Sequence, residues 1–351
     1  MKRILRIILA LIVLLSVAAA AALFWSGVRS LDAPLRLTSA TIFKVPSGAS
    51  FAHVAAELAA QGIVAQPRAW VLYARWKGLA AAVKAGEYEI LPGATPRELL
   101  MKMVNGQVLL HSFTIVDGWR LQDVLEAVRR NPEVESTLPA HETTAVQAAD
   151  LMQKLGAAGT ESEGQFLPET YRFAGGTTDV ELLRQAHAAL TKELDAAWAT
   201  RDPDLPLRNP NELLIMASIV EKESGIPQEL AKIAGLYLHR LSIGMRLQAD
   251  PTIIYGMGDR YDGDIRTADL RTDGPYNTYT RAGLPPTPIA LPSAAVIRAT
   301  AHPEKTDAIY FVASAKDDGS HIFSATLAAH NAAVAAYLAH QRRKAAQDSA
   351  R

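Results

Sequence analysis

The chain has 351 residues, with 36 basic and 36 acidic side chains, an apolar fraction of 49% and no cysteine. That length and composition exclude disorder as the main state and suggest two domains or three. Zero net charge argues against a nonspecific nucleic-acid binder, and the missing cysteines exclude a thiol nucleophile, a disulfide framework and a cysteine-based zinc site.

Lys2, Arg3 and Arg6 precede an apolar run, Ile7 to Trp25, whose only polar side chain is Ser16. As a helix the run spans roughly 28 Å, the thickness of a hydrocarbon core. The basic flank predicts residues 1–6 in the cytoplasm, 7–25 as a single-pass anchor, and the mass of the chain outside. Phe24 and Trp25 fall where an interfacial aromatic belt belongs. A cleaved signal peptide is the competing reading, because Ala18–Ala22 offer small residues to a peptidase. The length of the run favours the anchor, in a cytoplasmic membrane that the short basic flank suits to the Gram-negative inner membrane.

Residues 26–40 read as a linker. From 41 to about 125 an apolar run, a glycine turn and a helical pattern recur three times. The copies begin at Ile42–Val45, Tyr88–Leu91 and Phe113–Val116, with turns at Gly48, Gly93 and Gly118. Ser50 and Thr95 are placed to cap the first two helices. Spacing leaves open whether this small α+β region is a spacer or a ligand-binding module. Residues 126–200 read as mostly helical, with helices over 142–157 and 180–200 and a turn-rich loop over 163–171. Residues 327–344 read as an alanine-rich helix with basic final turns.

Asn209-Pro210-Asn211-Glu212 is a helix start, with Asn209 as cap and Pro210 in the first turn. The run Leu213 to Val220 that follows is apolar all round, so the helix is expected to be buried. The pattern carries it through Glu221-Lys222-Glu223-Ser224 and stops it at Gly225. A carboxyl group at the negative end of a buried helix has a raised pKa, which is what a general acid needs. On such a helix Glu221 and Glu223 lie about 200° apart, so one can face a cleft and the other structure. Spacing leaves open which is which, and whether both are surface residues.

Beyond it runs a stretch rich in tyrosine, amide and proline: Gln248 to Thr252, Tyr255, Tyr276 to Tyr279, then Gly283 to Ser293. Aromatic faces with hydroxyl and amide partners suit carbohydrate. A long loop inside a compact domain is more often functional than not. The nine histidines form no HExxH spacing, and neither a phosphate loop nor a G-x-S-x-G elbow is present. No metal and no cofactor are expected, and His302, His321 and His330 are expected in the core or along a cleft.

The segment Ala217-Ser218-Ile219-Val220-Glu221-Lys222-Glu223-Ser224 resembles the signature of the MltG (YceG-like) family of endolytic murein transglycosylases. So do Leu238–Leu241, Gly244–Thr252, Tyr255-Gly256, Tyr276–Tyr279, Gly283–Pro286, Pro288-Ile289 and Pro292. Ala301–Pro303, Tyr310–Val312, His321–Phe323 and His330-Asn331 complete the match. The resemblance implies an α+β fold: the N-terminal transmembrane helix, a small LysM-like α+β subdomain over 41–110 that grips glycan, and a mixed α+β catalytic domain over 111–345. It implies a lyase that cuts the MurNAc–GlcNAc bond inside peptidoglycan glycan strands and leaves 1,6-anhydro-MurNAc ends. The family role is to release nascent strands beside penicillin-binding glycan polymerases. Lytic transglycosylases place serine or threonine directly after the catalytic glutamate, which implies Glu223 as the acid, with Glu221 as the fallback. Ser224, Gln248, Asp250, Tyr255, Tyr276, Asn277 and Tyr279 are the candidates for substrate binding. A noncatalytic, membrane-anchored peptidoglycan-binding scaffold is the alternative of another class.

Overall fold

A computed structural model describes residues 2–139 and 141–348. In chain order its elements are α1 (Lys2–Arg29), β1 (Thr41–Val45), α2 (Phe51–Ala60), α3 (Pro67–Trp76), β2 (Gly86–Ile90), α4 (Pro96–Asn105) and β3 (Leu110–Thr114). There follow α5 (Leu121–Arg130), β4 (Val134–Glu135), α6 (Thr144–Leu155), β5 (Thr170–Ala174), β6 (Thr177–Thr178), α7 (Asp179–Thr200) and α8 (Pro210–Glu221). The last are α9 (Leu230–Ser242), α10 (Asp250–Met257), α11 (Thr267–Arg271), α12 (Ala294–Ala301), β7 (Tyr310–Ala313), β8 (His321–Ser324) and α13 (Leu327–Asp348). The fold is mixed α and β. Its first helix is long and apolar enough to cross a membrane.

The chain divides into two units, Met1–His111 with Arg172–Thr177, and Ser112–Tyr171 with Thr178–Arg351. In the first, β1 and β2 pair antiparallel with Phe43 opposite Tyr88 and Thr41 opposite Ile90. Strand alternation turns Phe43, Val45, Tyr88 and Ile90 inward. They meet Val54 and Leu58 of α2, Trp70 and Ala74 of α3, and Leu99, Leu100 and Met103 of α4 in one core. Ser50 caps α2 by accepting from His53 N. Thr95 and Glu98 form a capping box at α4, and Gly106 ends it in the left-handed conformation. The helix α3 is an element that the repeat pattern does not include. Its buried residues, Trp70, Tyr73 and Ala74, lie at helical spacing, but Trp76 and Leu72 on its outer side blur the period.

The second unit is built around α8. Every residue from Leu213 to Val220 is buried, as the apolar run predicts. They pack with residues of α7, α9 and α12, including Leu190, Ile233, Leu236, Val296 and Ile297. Ser218, the one polar member, donates to Ile215 O and accepts from Ile289 N. The helix ends at Glu221, earlier than the pattern suggests, and Lys222 N and Glu223 N close a last turn on Ile219 O and Val220 O. Strands β7 and β8 form an antiparallel hairpin with Phe311 opposite Phe323. Between α6 and α7 the expected turn-rich loop is present, and it leads into the short strands β5 and β6. The polar stretch after α9 holds two short helices, α10 and α11, before the irregular run to Ser293.

Candidate active site

Glu223 lines a cavity of about 460 Å³. It stands in the turn just past α8, so the 200° argument, which needs both glutamates on the helix, does not apply to it. Ser224 fixes the next bend by accepting from Ile226 N at 3.0 Å. The turn leaves the Glu223 carboxyl partly buried, and Tyr237 donates its hydroxyl to Oε1 at 2.5 Å. Burial pushes the Glu223 carboxyl up to about 7. The Tyr237 hydrogen bond pulls the other way, the negative charge of Asp250 adds to the rise, and Arg240 opposes it.

Tyr237 and Arg240 come from α9, three residues apart and therefore on one face. Both are buried. Arg240 donates through Nε to Ile309 O at 2.6 Å and through Nη1 to Leu247 O at 2.5 Å. Those carbonyls fix the cation in place beneath the cavity. Burial lowers its pKa from the ordinary guanidinium value, with Tyr237, Tyr310 and Tyr279 opposing. Tyr237 itself is held neutral, because burial and the neighbouring Glu223 raise it well above the usual phenol value.

The opposite wall comes from the segment after α9. Gln248 has φ of 51°, a left-handed backbone for a residue other than glycine, which costs of order 1 kcal/mol or more and marks functional sites. Its N–H is held by Thr278 O at 3.2 Å. Thr278 Oγ1 also accepts from Ala249 N, so the 277–279 segment grips the start of α10. Asp250 opens α10, and Tyr279 donates to its Oδ1 at 2.6 Å. Asn277 donates to the carbonyls of Asp269, Leu270 and Thr272 and accepts from Tyr279 N. It shapes the turn that presents Tyr279.

Tyr310 and Phe311 of β7 and Leu327, His330 and Asn331 of α13 complete the lining. The His330 ring stacks on Tyr310 with centroids 5.1 Å apart. Its Nδ1 is buried and has no hydrogen-bond partner among the described residues. A buried polar atom in that state is costly unless something fills the gap.

The cavity thus brings together Glu223, Gln248, Asp250 and Tyr279 from the sequence candidates. It does not include Ser224, Tyr255, Tyr276 or Asn277 in its lining. Tyr255 and Tyr276 pack edge to face at 4.8 Å. Tyr255 donates to Glu163 Oε2 at 3.3 Å under the Arg120 guanidinium, and the Tyr276 hydroxyl lies 2.8 Å from Thr287 Oγ1. Burial raises the Glu163 carboxyl, opposed by the N–H groups of Leu121 and Gly164. Glu221 has yet other company. Its Oε2 accepts from Ser293 N at 2.8 Å and Ser293 Oγ at 2.9 Å, at the start of α12. Burial raises its pKa as well, opposed by those Ser293 bonds, with the negative charge of Asp117 adding to the rise. His330, expected in the core or along a cleft, does line the cavity, whereas sequence reasoning gave no site role to Tyr237, Arg240, Tyr310, Phe311 or Asn331. The Tyr237–Arg240 spacing inside an amphipathic helix was the one usable signal.

The YceG-like family model matches residues 43–336. The chain belongs to that family. It is 28% identical over 339 residues to the endolytic murein transglycosylase of Bacillus subtilis, covering 90% of each chain. It is 29% identical over 298 residues to that of Streptococcus pneumoniae, spanning 77% of this chain but 53% of the other. A yceG-like protein of Listeria monocytogenes with a crystal structure is 25% identical, covers 84% of this chain and 98% of its own, and superimposes with a TM-score of 0.47.

Proposed function

We propose that this YceG-like chain is a membrane-anchored lytic transglycosylase that cuts peptidoglycan glycan strands internally, with Glu223 as its acid and base. The observation that carries the reading is a partly buried carboxyl with pKa near 7 in a cavity lined by tyrosine, amide, histidine and carboxylate. A group poised there holds a proton at neutral pH and gives it up readily. The names of the Bacillus and Streptococcus relatives support the substrate class.

Glu223 gives its proton to the oxygen that links MurNAc C1 to GlcNAc, and the C1–O bond breaks. Asp250, held by Tyr279, favours the positive charge that develops at C1. The MurNAc C6 hydroxyl then attacks C1 while Glu223, now a carboxylate, takes the hydroxyl proton. The anhydro ring closes, and Glu223 is ready for the next bond. No water enters, so exclusion of water directs the reaction to the lyase product. Tyr237 holds Oε1, which leaves Oε2 to carry the proton. His330 offers its ring nitrogen to a substrate hydroxyl or amide. Glu221 holds the start of α12 in place, and Ser224 and Asn277 shape the turns around the site.

Residues 7–25 anchor the chain with its N-terminus in the cytoplasm, in the inner membrane. The 41–110 region acts as the LysM-like glycan grip, an assignment supported by its own core and α+β build. Acting on strands as they leave the glycan polymerases, the enzyme terminates their growth. The test is digestion of purified murein by the full chain beside Glu223→Gln, with products read by mass spectrometry. Anhydro-MurNAc ends from the wild type alone support the reading. Reducing ends would point to hydrolysis with Asp250 as a second carboxylate. An active Glu223→Gln moves the acid to Glu221, and an inactive wild type favours the scaffold.

A further inference from the structure

The end of α1 does not leave the apolar span as a free stalk. It packs on α3 within the same unit. Gly27 permits the approach, since a Cβ there would stand 2.9 Å from Ala69 Cβ. The rings of Phe24 and Trp76 meet edge to face at 5.9 Å, and Val28 is buried in the core of the unit. The depth of α3 therefore follows from the depth of α1.

Phe24 and Trp25 close the 7–25 run, so they mark its outer interface. Ala20 lies about 6–7.5 Å further in along the helix. A groove of about 630 Å³ runs between the two helices, lined by Ala20, Leu23 and Phe24 on one side and Pro67, Arg68 and Leu72 on the other. Leu72 thus shares a groove with residues that belong in hydrocarbon, yet it is 54% exposed, and Trp76 is 57% exposed. Arg68, Arg75 and Lys77 flank them, also exposed, and Arg29 follows on α1. The first turn of α3 has no acidic residue, nor has the rest of its sequence. Lys77 Nζ lies 4.4 Å from the Trp76 ring centroid. A chain with no net charge has here a purely basic, aromatic-edged apolar strip.

We propose that the outer face of α3 is seated in the headgroup layer of the bilayer, with Leu72 and Trp76 at the acyl boundary and Arg68, Arg75 and Lys77 on the phosphates of anionic phospholipids. The inference rests on reading α1 as the anchor. Apolar contact and basic side chains are the two contributions that hold an interfacial helix on an anionic leaflet. The first unit is thereby fixed against the membrane, at the surface where new strands emerge.

The absence of native cysteine makes the test direct. A single thiol is introduced into the full chain as Leu72→Cys, Trp76→Cys, Leu14→Cys or Leu110→Cys and carries an environment-sensitive fluorophore. Leu14 lies within the apolar run, and Leu110 is an exposed leucine away from α1 and α3. Each variant is reconstituted in nanodiscs of phosphatidylcholine with phosphatidylglycerol, doped with a phospholipid that carries a nitroxide near its glycerol end. Labels at 72 and 76 are expected to be quenched about two-fold or more over the label at 110. Charge reversal of Arg68, Arg75 and Lys77 to glutamate, or removal of phosphatidylglycerol, should cut that quenching by about half. Quenching at 14 with none at 72 and 76 overturns the proposal and leaves the anchor standing. Quenching at none of the three overturns both. Quenching at 72 and 76 that ignores lipid charge overturns the phosphate contacts.

Discussion

Glu223→Gln should abolish cleavage and at the same time stabilise the protein at alkaline pH. The folded-state carboxyl titrates at about 7, against an ordinary value of 4.5. Between those values the folded state binds more protons than the unfolded one, so stability falls as pH rises. The contribution is complete below about 4.5 and is lost as pH passes through 7. The difference corresponds to about 3 kcal/mol. Glutamine keeps an oxygen for the Tyr237 hydroxyl and does not titrate, so it escapes this loss. For a unit of this size the gain appears as a rise of roughly 6–12 °C in unfolding midpoint relative to wild type. The assay is thermal unfolding of the full chain in detergent from pH 4.5 to 8, wild type beside variant. The raised carboxyls of Glu163 and Glu221 are common to both and cancel in the difference. The midpoints should diverge as pH rises. A difference that stays flat across that range would show that the carboxyl is not desolvated and would remove the basis for a general acid at 223.

Four further outcomes follow from the same contacts. Tyr237→Phe removes the hydrogen bond that holds the Glu223 pKa down; a bond to a charged group is worth about 1.5–3 kcal/mol, so the alkaline limb of kcat/KM on murein should move up by about one to two pH units. Asp250→Asn removes a charge that holds the pKa up, so the same limb should move down, with kcat lowered if Asp250 supports charge at C1. His330→Ala empties the orphaned position beside Tyr310 and should lower kcat/KM by about 10-fold, the value of one lost hydrogen bond, mainly through KM; an unchanged KM would leave His330 without a substrate contact. Glu221→Ala takes the acceptor away from Ser293 N and from the Ser293 hydroxyl hydrogen at the start of α12, while Ser293 Oγ still accepts from Val296 N; this should cost about 1–3 kcal/mol in urea unfolding while cleavage per folded molecule persists.

The sequence made the support of the site legible more readily than its inside. Asn209, Pro210 and the run to Val220 announced a buried helix, and Asn209 does accept from Glu212 N. The cap residues Ser50 and Thr95 were equally plain, since capping is local chemistry. The end of α8 was not legible, because Glu221, Lys222 and Glu223 all tolerate a helix and the terminating turn is set by the chain beyond. Nor was the partner of either glutamate. Tyr237 is 14 residues from Glu223, and Ser293 is 72 from Glu221, separations at which no local pattern acts. Asn277 looked like a ligand-binding amide because its type is right for one. Only the three carbonyls around it show that folding already engages it.

The two glutamates near the end of α8 are both raised by burial, so desolvation alone does not separate them. Their hydrogen bonds do. Glu221 accepts two bonds on one oxygen from a residue that begins a helix, an arrangement that holds a charged group still. Glu223 accepts one bond from a phenol that is itself kept neutral, with a carboxylate and a guanidinium pulling its pKa in opposite directions. A single group that must first donate and then accept a proton works best when neither form is strongly preferred. Burial and Asp250 push Glu223 towards the acid, and Tyr237 and Arg240 push it towards the base. The fixed carbonyl contacts of Arg240 keep that balance from relaxing when substrate displaces water from the cavity. On the mechanism proposed above Glu223 both gives and takes the proton, so that balance has to be built into its surroundings, with Asp250 left to face the charge at C1.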